Sequence, residues 1–218
     1  MIAFQKVSRW YGPPQDTAFI LQNTDAVFET GQHYVIMATA GSGKSALLRL
    51  ISGADQPNIG RVQRDEAVSW PLAMATIFTP RLTARQNLGF IARLHGLAPD
   101  HLVGKVEEFA TLGRALDRPV GSFTTTQRLS LAFGASFAVP FHTHLIDETY
   151  MTRNRVLGPK VQNGLENLFA SRRVIAASPD AKFARRYFQR GFLLHQRGLH
   201  LYTNIDALIA AFEAARLT

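Results

Sequence analysis

The sequence predicts an α/β layer fold in which a helical lobe interrupts a parallel sheet. Three observations carry that expectation. Four apolar residues, Tyr34, Val35, Ile36 and Met37, run into Ala38-Thr39-Ala40-Gly41-Ser42-Gly43-Lys44-Ser45. An apolar-rich helix follows through Ala46, Leu47, Leu48, Leu50 and Ile51, closed by Gly53. Short apolar runs alternate with helical periodicity on either side of this unit, while from Thr83 to about Pro140 the pattern turns helical. The core lobe is expected over residues 1–78 and 143–218, and the helical lobe over 79–142.

Each element has a local reason. Ile2–Val7 reads as a strand, and Pro13 and Pro14 mark a loop. Ala26–Phe28 reads as a short strand before the turn Glu29-Thr30-Gly31. Asp55 to Gly60 is a turn, and Val68–Trp70 and Ala75–Phe78 read as strands. Leu88, Ile91, Ala92 and His95 share one helix face. Val103, Val106, Phe109, Ala110 and Leu112 mark a second helix, and Thr124–Ala138 a third with Thr124 as its cap. Strands resume at His144–Ile146, Val174–Ala177 and Phe192–Leu194, and a helix over Ile205–Leu217 closes the pattern.

Composition narrows the function classes. At 218 residues, 46% hydrophobic and 18% charged, the chain can bury a full core. With no Cys, it has no disulfide, thiol chemistry or Cys-bearing zinc site, which fits a reducing cytoplasm. Met1 to Lys6 lacks the apolar run of a signal peptide. The longest apolar stretch, Leu129–Phe141, contains Ser130, Ser136 and Pro140 and is too short to span a bilayer. The net charge is +8. Arg172, Arg173, Lys182, Arg185, Arg186, Arg190 and Arg197 crowd one region, with Asp180 the lone acid among them. Such a surface suits anionic lipid, nucleic acid or an acidic partner, or is simply a solvated face. No DNA- or RNA-reading motif accompanies it, so no specific nucleic-acid binding is expected. His33, His95, His101, His142, His144, His195 and His200 form no i, i+4 pair backed by a carboxylate, which favours packing or partner contacts over metal binding.

The octapeptide is a phosphate-binding loop in its proper context of strand, glycine-rich turn and helix. Gly41 and Gly43 let backbone N–H groups curl around phosphate oxygens, and the helix start adds its positive dipole end. Lys44 would reach the β- and γ-phosphates of ATP, and the Ser45 hydroxyl would hold Mg²⁺. The candidate nucleotide-binding set is therefore Ala40, Gly41, Ser42, Gly43, Lys44, Ser45 and Ala46. Ala38 stands where the strict pattern has Gly and is tolerable at negative φ. Downstream, His144-Leu145-Ile146-Asp147-Glu148 is an apolar strand ending in two acids. Alone it reads equally as an exposed turn. Paired with Lys44 and Ser45 it makes Asp147 the second Mg²⁺ residue and Glu148 the catalytic group that orients and deprotonates water.

With these pieces the chain resembles the ATP-binding subunits of ABC transporters, in particular the small ATPases that drive capsule and O-antigen polysaccharide export. The residues that carry the resemblance run over nearly the whole length. They are Tyr11, Ala38 to Ser45, Ser69-Trp70-Pro71, Leu82 to Leu88, Arg93-Leu94-His95-Gly96 and Asp147-Glu148. The resemblance implies a P-loop NTPase with a RecA-like parallel-sheet core, N-terminal antiparallel β elements and an inserted helical lobe. It implies that Tyr11 stacks on adenine. It implies two partners, a polytopic membrane permease and a second ATP-binding subunit, identical or not, with each nucleotide held between the loop of one subunit and the signature of the other. It places the protein on the inner face of the cell membrane.

The departures from that family are equally specific. Thr79 and Pro80 follow Phe78 where the family has a Gln that senses Mg²⁺. Phe123-Thr124-Thr125-Thr126-Gln127-Arg128 matches the signature, with β-branched Thr126 at its glycine. Asn154 stands for an Asp that organises the dimer. Pro179 follows Ser178 where a histidine would hold the γ-phosphate, and proline has neither side-chain donor nor N–H. Little ATPase activity is expected of the chain by itself. Alternative readings are a nucleotide-gated scaffold that hydrolyses nothing, or a P-loop protein of another family such as a kinase or nucleic-acid ATPase.

Overall fold

The computed structural model describes residues 1–12, 18–39, 41–147 and 157–217. Its first elements are β1 (Ile2–Tyr11), β2 (Ala18–Phe28), β3 (Tyr34–Met37), α1 (Lys44–Ser52), β4 (Ile59–Arg64) and β5 (Val68–Pro71). Three helices follow, α2 (Ala84–Leu94), α3 (Pro99–Ala110) and α4 (Thr125–Ala138), and then β6 (Thr143–Asp147). The chain continues through α5 (Gly158–Ser171), β7 (Arg173–Ala177), α6 (Ala181–Tyr187), β8 (Gly191–His195), β9 (Gly198–Tyr202) and α7 (Ile205–Ala215).

These elements form two compact units. One comprises residues 1–71, 142–147 and 171–217 of those described, and carries both sheets. Its larger sheet has the order β5-β6-β7-β3-β8-β9. β5, β6, β7, β3 and β8 run parallel, and β9 returns antiparallel on β8. Every residue of β3, β6 and β7 is buried, which is why their centres read as short apolar runs rather than alternating ones. The smaller sheet is antiparallel, in the order β2-β1-β4. An aromatic cluster joins the two: Phe28 of β2 lies 4.6 Å from Phe192 of β8 and 5.3 Å, edge-on, from Tyr34 of β3. Buried rings of this kind each contribute roughly 1.5–3 kcal/mol through area alone.

The other unit holds residues 72–141 and 157–170 of those described. α4 is its centre, with Leu131, Ala132, Phe133 and Ala135 fully buried. Gly134 lets α3 approach so closely that a Cβ there would lie 3.0 Å from Val106. α5 packs in this unit, whereas the sequence reading groups it with the core: the Phe137 ring lies against Gly164, leaving no room for a side chain.

Several elements differ from the sequence expectation. The segment at Ala26–Phe28 is the end of an eleven-residue strand. β4 and β9 are additional strands. Ala75–Ile77 is a 3₁₀ turn rather than a strand, since Ile77 and Phe78 bond back to the carbonyls of Met74 and Ala75. Three of the seven residues of the basic segment are paired: Arg173 with Glu66, Arg185 with Asp206 and Arg190 with Glu29. No helix among the described residues is long and apolar enough to cross a membrane.

Candidate functional site

The site is built on the edge of the larger sheet where β3 and β6 end, with β7 between them. That edge, beyond the carboxyl ends of parallel strands, is where open α/β sheets gather ligands. The loop leaving β3 turns twice in the left-handed region, with Gly41 at φ +78° and Gly43 at φ +94°. An L side chain there is strained, and at Gly43 it would also collide, since a Cβ would lie 2.8 Å from the Ile20 side chain. Gly43 is the N-cap of α1 and makes no side-chain cap, and the first turn of α1 contains no acid. The orphan amides and the positive dipole end of α1 therefore remain available to an anion.

Lys44 and Ser45 open that helix. The Lys44 ammonium donates to the carbonyls of Ala38 and Thr39, each at 3.1 Å. The Ser42 hydroxyl donates to the Thr39 carbonyl at 2.7 Å and braces the turn. The Ser45 hydroxyl donates to Asp147 Oδ2 at 2.8 Å, joining residues 102 positions apart. Asp147, the last residue of β6, is 8% exposed. A hydroxyl and a buried carboxylate oxygen side by side are the hard oxygen donors that suit Mg²⁺. Ala46 is buried in α1. Ala40, Glu148 and Asn154 lie outside the described residues.

Beside Lys44 lies a cavity of about 530 Å³ lined by Ala38, Thr39, Lys44, Pro179, Asp180, Phe212 and Arg216. Sequence reasoning missed the last three, because no motif marks them. They reach Lys44 only because β7 and β8 flank β3. Among the described residues no cluster of three or more His, Cys, Asp or Glu could hold a metal.

Tyr11, at the end of β1, is held in a polar cluster. Its hydroxyl donates to Asp55 Oδ2 at 2.5 Å and accepts from Arg49 at 3.1 Å. The Arg9 guanidinium stands over its ring at 4.1 Å and pairs with Asp55 at 2.7 Å. Burial pushes the Asp55 carboxyl up, but the bonds from Tyr11, the Gln56 amide and Arg9 outweigh it and hold the group below its ordinary value. The sequence carried no signal for Asp55, which sits in an unremarkable turn.

The residues at the departed positions also have local partners. The Thr79 amide donates to Asn87 Oδ1 at 2.8 Å, and its carbonyl accepts from Asn87 Nδ2 at 3.1 Å. Thr124 caps α4: its hydroxyl accepts from the Gln127 amide at 3.2 Å, and Gln127 Oε1 accepts from the Thr124 amide at 3.1 Å. This is a complete capping box. Thr126 lines a separate cavity of about 370 Å³ within the helical unit, with Phe109 and Lys160 among its other walls. Pro179 precedes Asp180, whose carboxylate caps α6 by accepting from the amides of Lys182 and Phe183.

The family described as ABC transporter matches residues 21–150. The chain is 29% identical to the polysialic acid transport ATP-binding protein KpsT of Escherichia coli, over 98% of this chain and 99% of that protein. It is 31% identical to the capsule polysaccharide export ATP-binding protein CtrD of Neisseria meningitidis, over 94% of this chain and 95% of that one. Among solved structures it is similar in fold to the dimeric bacterial ABC transporter cassette MJ0796, with a TM-score of 0.73 and 19% identity, covering 92% of this chain and 97% of the cassette.

Proposed function

The chain belongs to the ABC transporter family, and from that premise we propose that it is the ATP-binding subunit of a polysaccharide exporter of the capsule or O-antigen kind. The observation that carries the nucleotide half of this reading is the Ser45–Asp147 hydrogen bond beside the uncapped start of α1. It brings together the two oxygen donors that would hold Mg²⁺, next to amides that would hold phosphate. Lys44 would leave its two carbonyl partners for the β- and γ-phosphates. Mg²⁺ would neutralise phosphate charge, with Ser45 and Asp147 as its protein ligands. Glu148, the next residue, is the candidate for orienting and deprotonating water. Tyr11 is the candidate for the adenine contact, for which its ring would have to present the face that Arg9 does not cover. The polysaccharide half of the reading rests on the relatives' names and on their near full-length coverage.

In this reading the chain works on the inner face of the membrane, docked on a polytopic permease and paired with a second ATP-binding subunit. Hydrolysis by the chain alone is weak. The Gln127 amide at the matching signature helix is already taken by Thr124, and Pro179 has no donor to offer. Loss of one positioned donor costs about 10²–10³ in rate, and losses that act as a unit need not multiply.

The test is titration of Mg²⁺–ATP against the purified protein, read as melting temperature, with Lys44→Ala as control. A shift at sub-millimolar ATP that the variant lacks supports the nucleotide site, and no shift in either protein overturns it. Co-purification with a membrane permease supports the exporter reading. Recovery of RNA or DNA instead would move the chain to another class of P-loop protein.

A further inference from the structure

We propose that Arg216 supplies the contact to the terminal phosphate of ATP that Pro179 cannot make. The inference rests on the nucleotide reading above. Pro179 occupies the position from which relatives are expected to hold the γ-phosphate, and proline offers no donor there. Yet the cavity Pro179 lines with Lys44 contains another strong donor. Arg216 faces the same space, together with Phe212.

Arg216 is presented on a fixed platform. It is the C-cap of α7, and its amide bonds to the Phe212 carbonyl at 3.1 Å. Phe212 is buried, 2% exposed, and its ring lies 5.6 Å from the guanidinium carbon of Arg216. That face-on contact holds an exposed cation near the cavity without neutralising it. Among the described residues Arg216 makes no ion pair, in contrast to Arg173, Arg185 and Arg190. The one acid lining the cavity, Asp180, is engaged with the amides at the start of α6. The cavity therefore carries two cations, Lys44 and Arg216, against one acid already in use. A guanidinium, with its fork of donors, suits phosphate oxygens better than any other side chain. A cation at a helix C-terminus has a purely structural use as well, through the helix dipole, so the test must separate the two.

The discriminating measurement is the ratio of ATP to ADP affinity, in Mg²⁺, for the full chain and for Arg216→Ala, Arg216→Lys and Lys44→Ala. A charge-assisted bond to the terminal phosphate predicts that Arg216→Ala loses about tenfold or more in ATP affinity with ADP affinity unchanged. Arg216→Lys is expected to recover part of the loss. A structural role would lower stability without changing the ratio. An equal change in ATP and ADP affinity in Arg216→Ala, or no change at all, overturns the inference while Lys44→Ala still abolishes binding. If Lys44→Ala also binds nucleotide as the full chain does, it is the nucleotide reading that fails.

Discussion

Two helix starts in this protein face opposite ways chemically. α1 begins at Gly43 with no side-chain cap and no acid in its first turn. α4 begins at Thr124 with a complete capping box, in which the Thr124 hydroxyl claims the Gln127 amide and the Gln127 side chain claims the Thr124 amide. Both positions match family segments expected to hold phosphate. The difference teaches that a helix N-terminus is an anion site only while its amides are unclaimed. At α1 the sequence leaves them open with glycines. At α4 hydroxyl and amide side chains claim two of them, which stabilises the helix start. α2 carries the same capping box, Thr83 with Gln86, and at α7 the Asn204 side chain accepts from the amides of Asp206 and Ala207.

The comparison is sharpest where the open end is disabled. At ATP about 100 times Kd the wild type gains about 2.7 kcal/mol, a rise of roughly 5–10 °C in Tm for a chain of this size. Lys44→Ala should remove that rise entirely in a thermal melt. Next in size, Gly43→Ala should lower unfolding stability by about 2 kcal/mol in urea and abolish the ATP response, because φ +94° and the 2.8 Å approach to Ile20 both oppose a methyl group. A wild-type-like melt would show that the loop does not hold the described geometry. Asp147→Asn should reduce ATP affinity about tenfold in Mg²⁺ and much less in EDTA, since it removes a charged oxygen from a hard cation. Equal losses in both conditions would argue against a metal at Ser45 and Asp147.

At the closed end the expected effects are smaller and purely structural. Thr124→Ala should cost about 1 kcal/mol of stability through the lost cap and leave ATP affinity unchanged. A change in affinity would mean that the α4 start takes part in the nucleotide site after all. The smallest effect concerns Asp55. Its folded carboxyl lies below the ordinary value of 3.8, so the stability it contributes is present above that value and is lost as pH falls through the folded one. Asp55→Asn should therefore flatten the acid limb of the stability profile below about pH 4 and leave the neutral region with a constant offset, as read by Tm against pH.

Much of the fold was legible because the parallel strands are buried on both faces. β3 and β7 announce themselves as apolar runs, and β6 as an apolar pair ending in an acid. The strands that escaped notice, β4 and β9, are the largely exposed members of antiparallel pairs, where partner and register rather than composition decide the structure. Ala75–Phe78 misled for the converse reason: a tetrapeptide of strand-forming residues has no strand character without a neighbour to pair with. In the basic segment, Arg173, Arg185 and Arg190 meet Glu66, Asp206 and Glu29 only in the folded chain, and no local pattern predicts those pairs.

The amino-acid sequence by itself determined the loop chemistry of this protein. Glycines that accept left-handed φ, a lysine and a serine opening a helix, and an acid ending an apolar strand are local features, set by backbone sterics and residue type. Only the tertiary structure decided which distant groups meet them. Ser45 reaches Asp147 because β7 alone separates β3 from β6. Lys44 shares a cavity with Asp180, Phe212 and Arg216 because β7 and β8 flank β3. Strand order is a long-range property of the buried core, paid in loop-closure entropy and returned in apolar burial, and no local pattern encodes it.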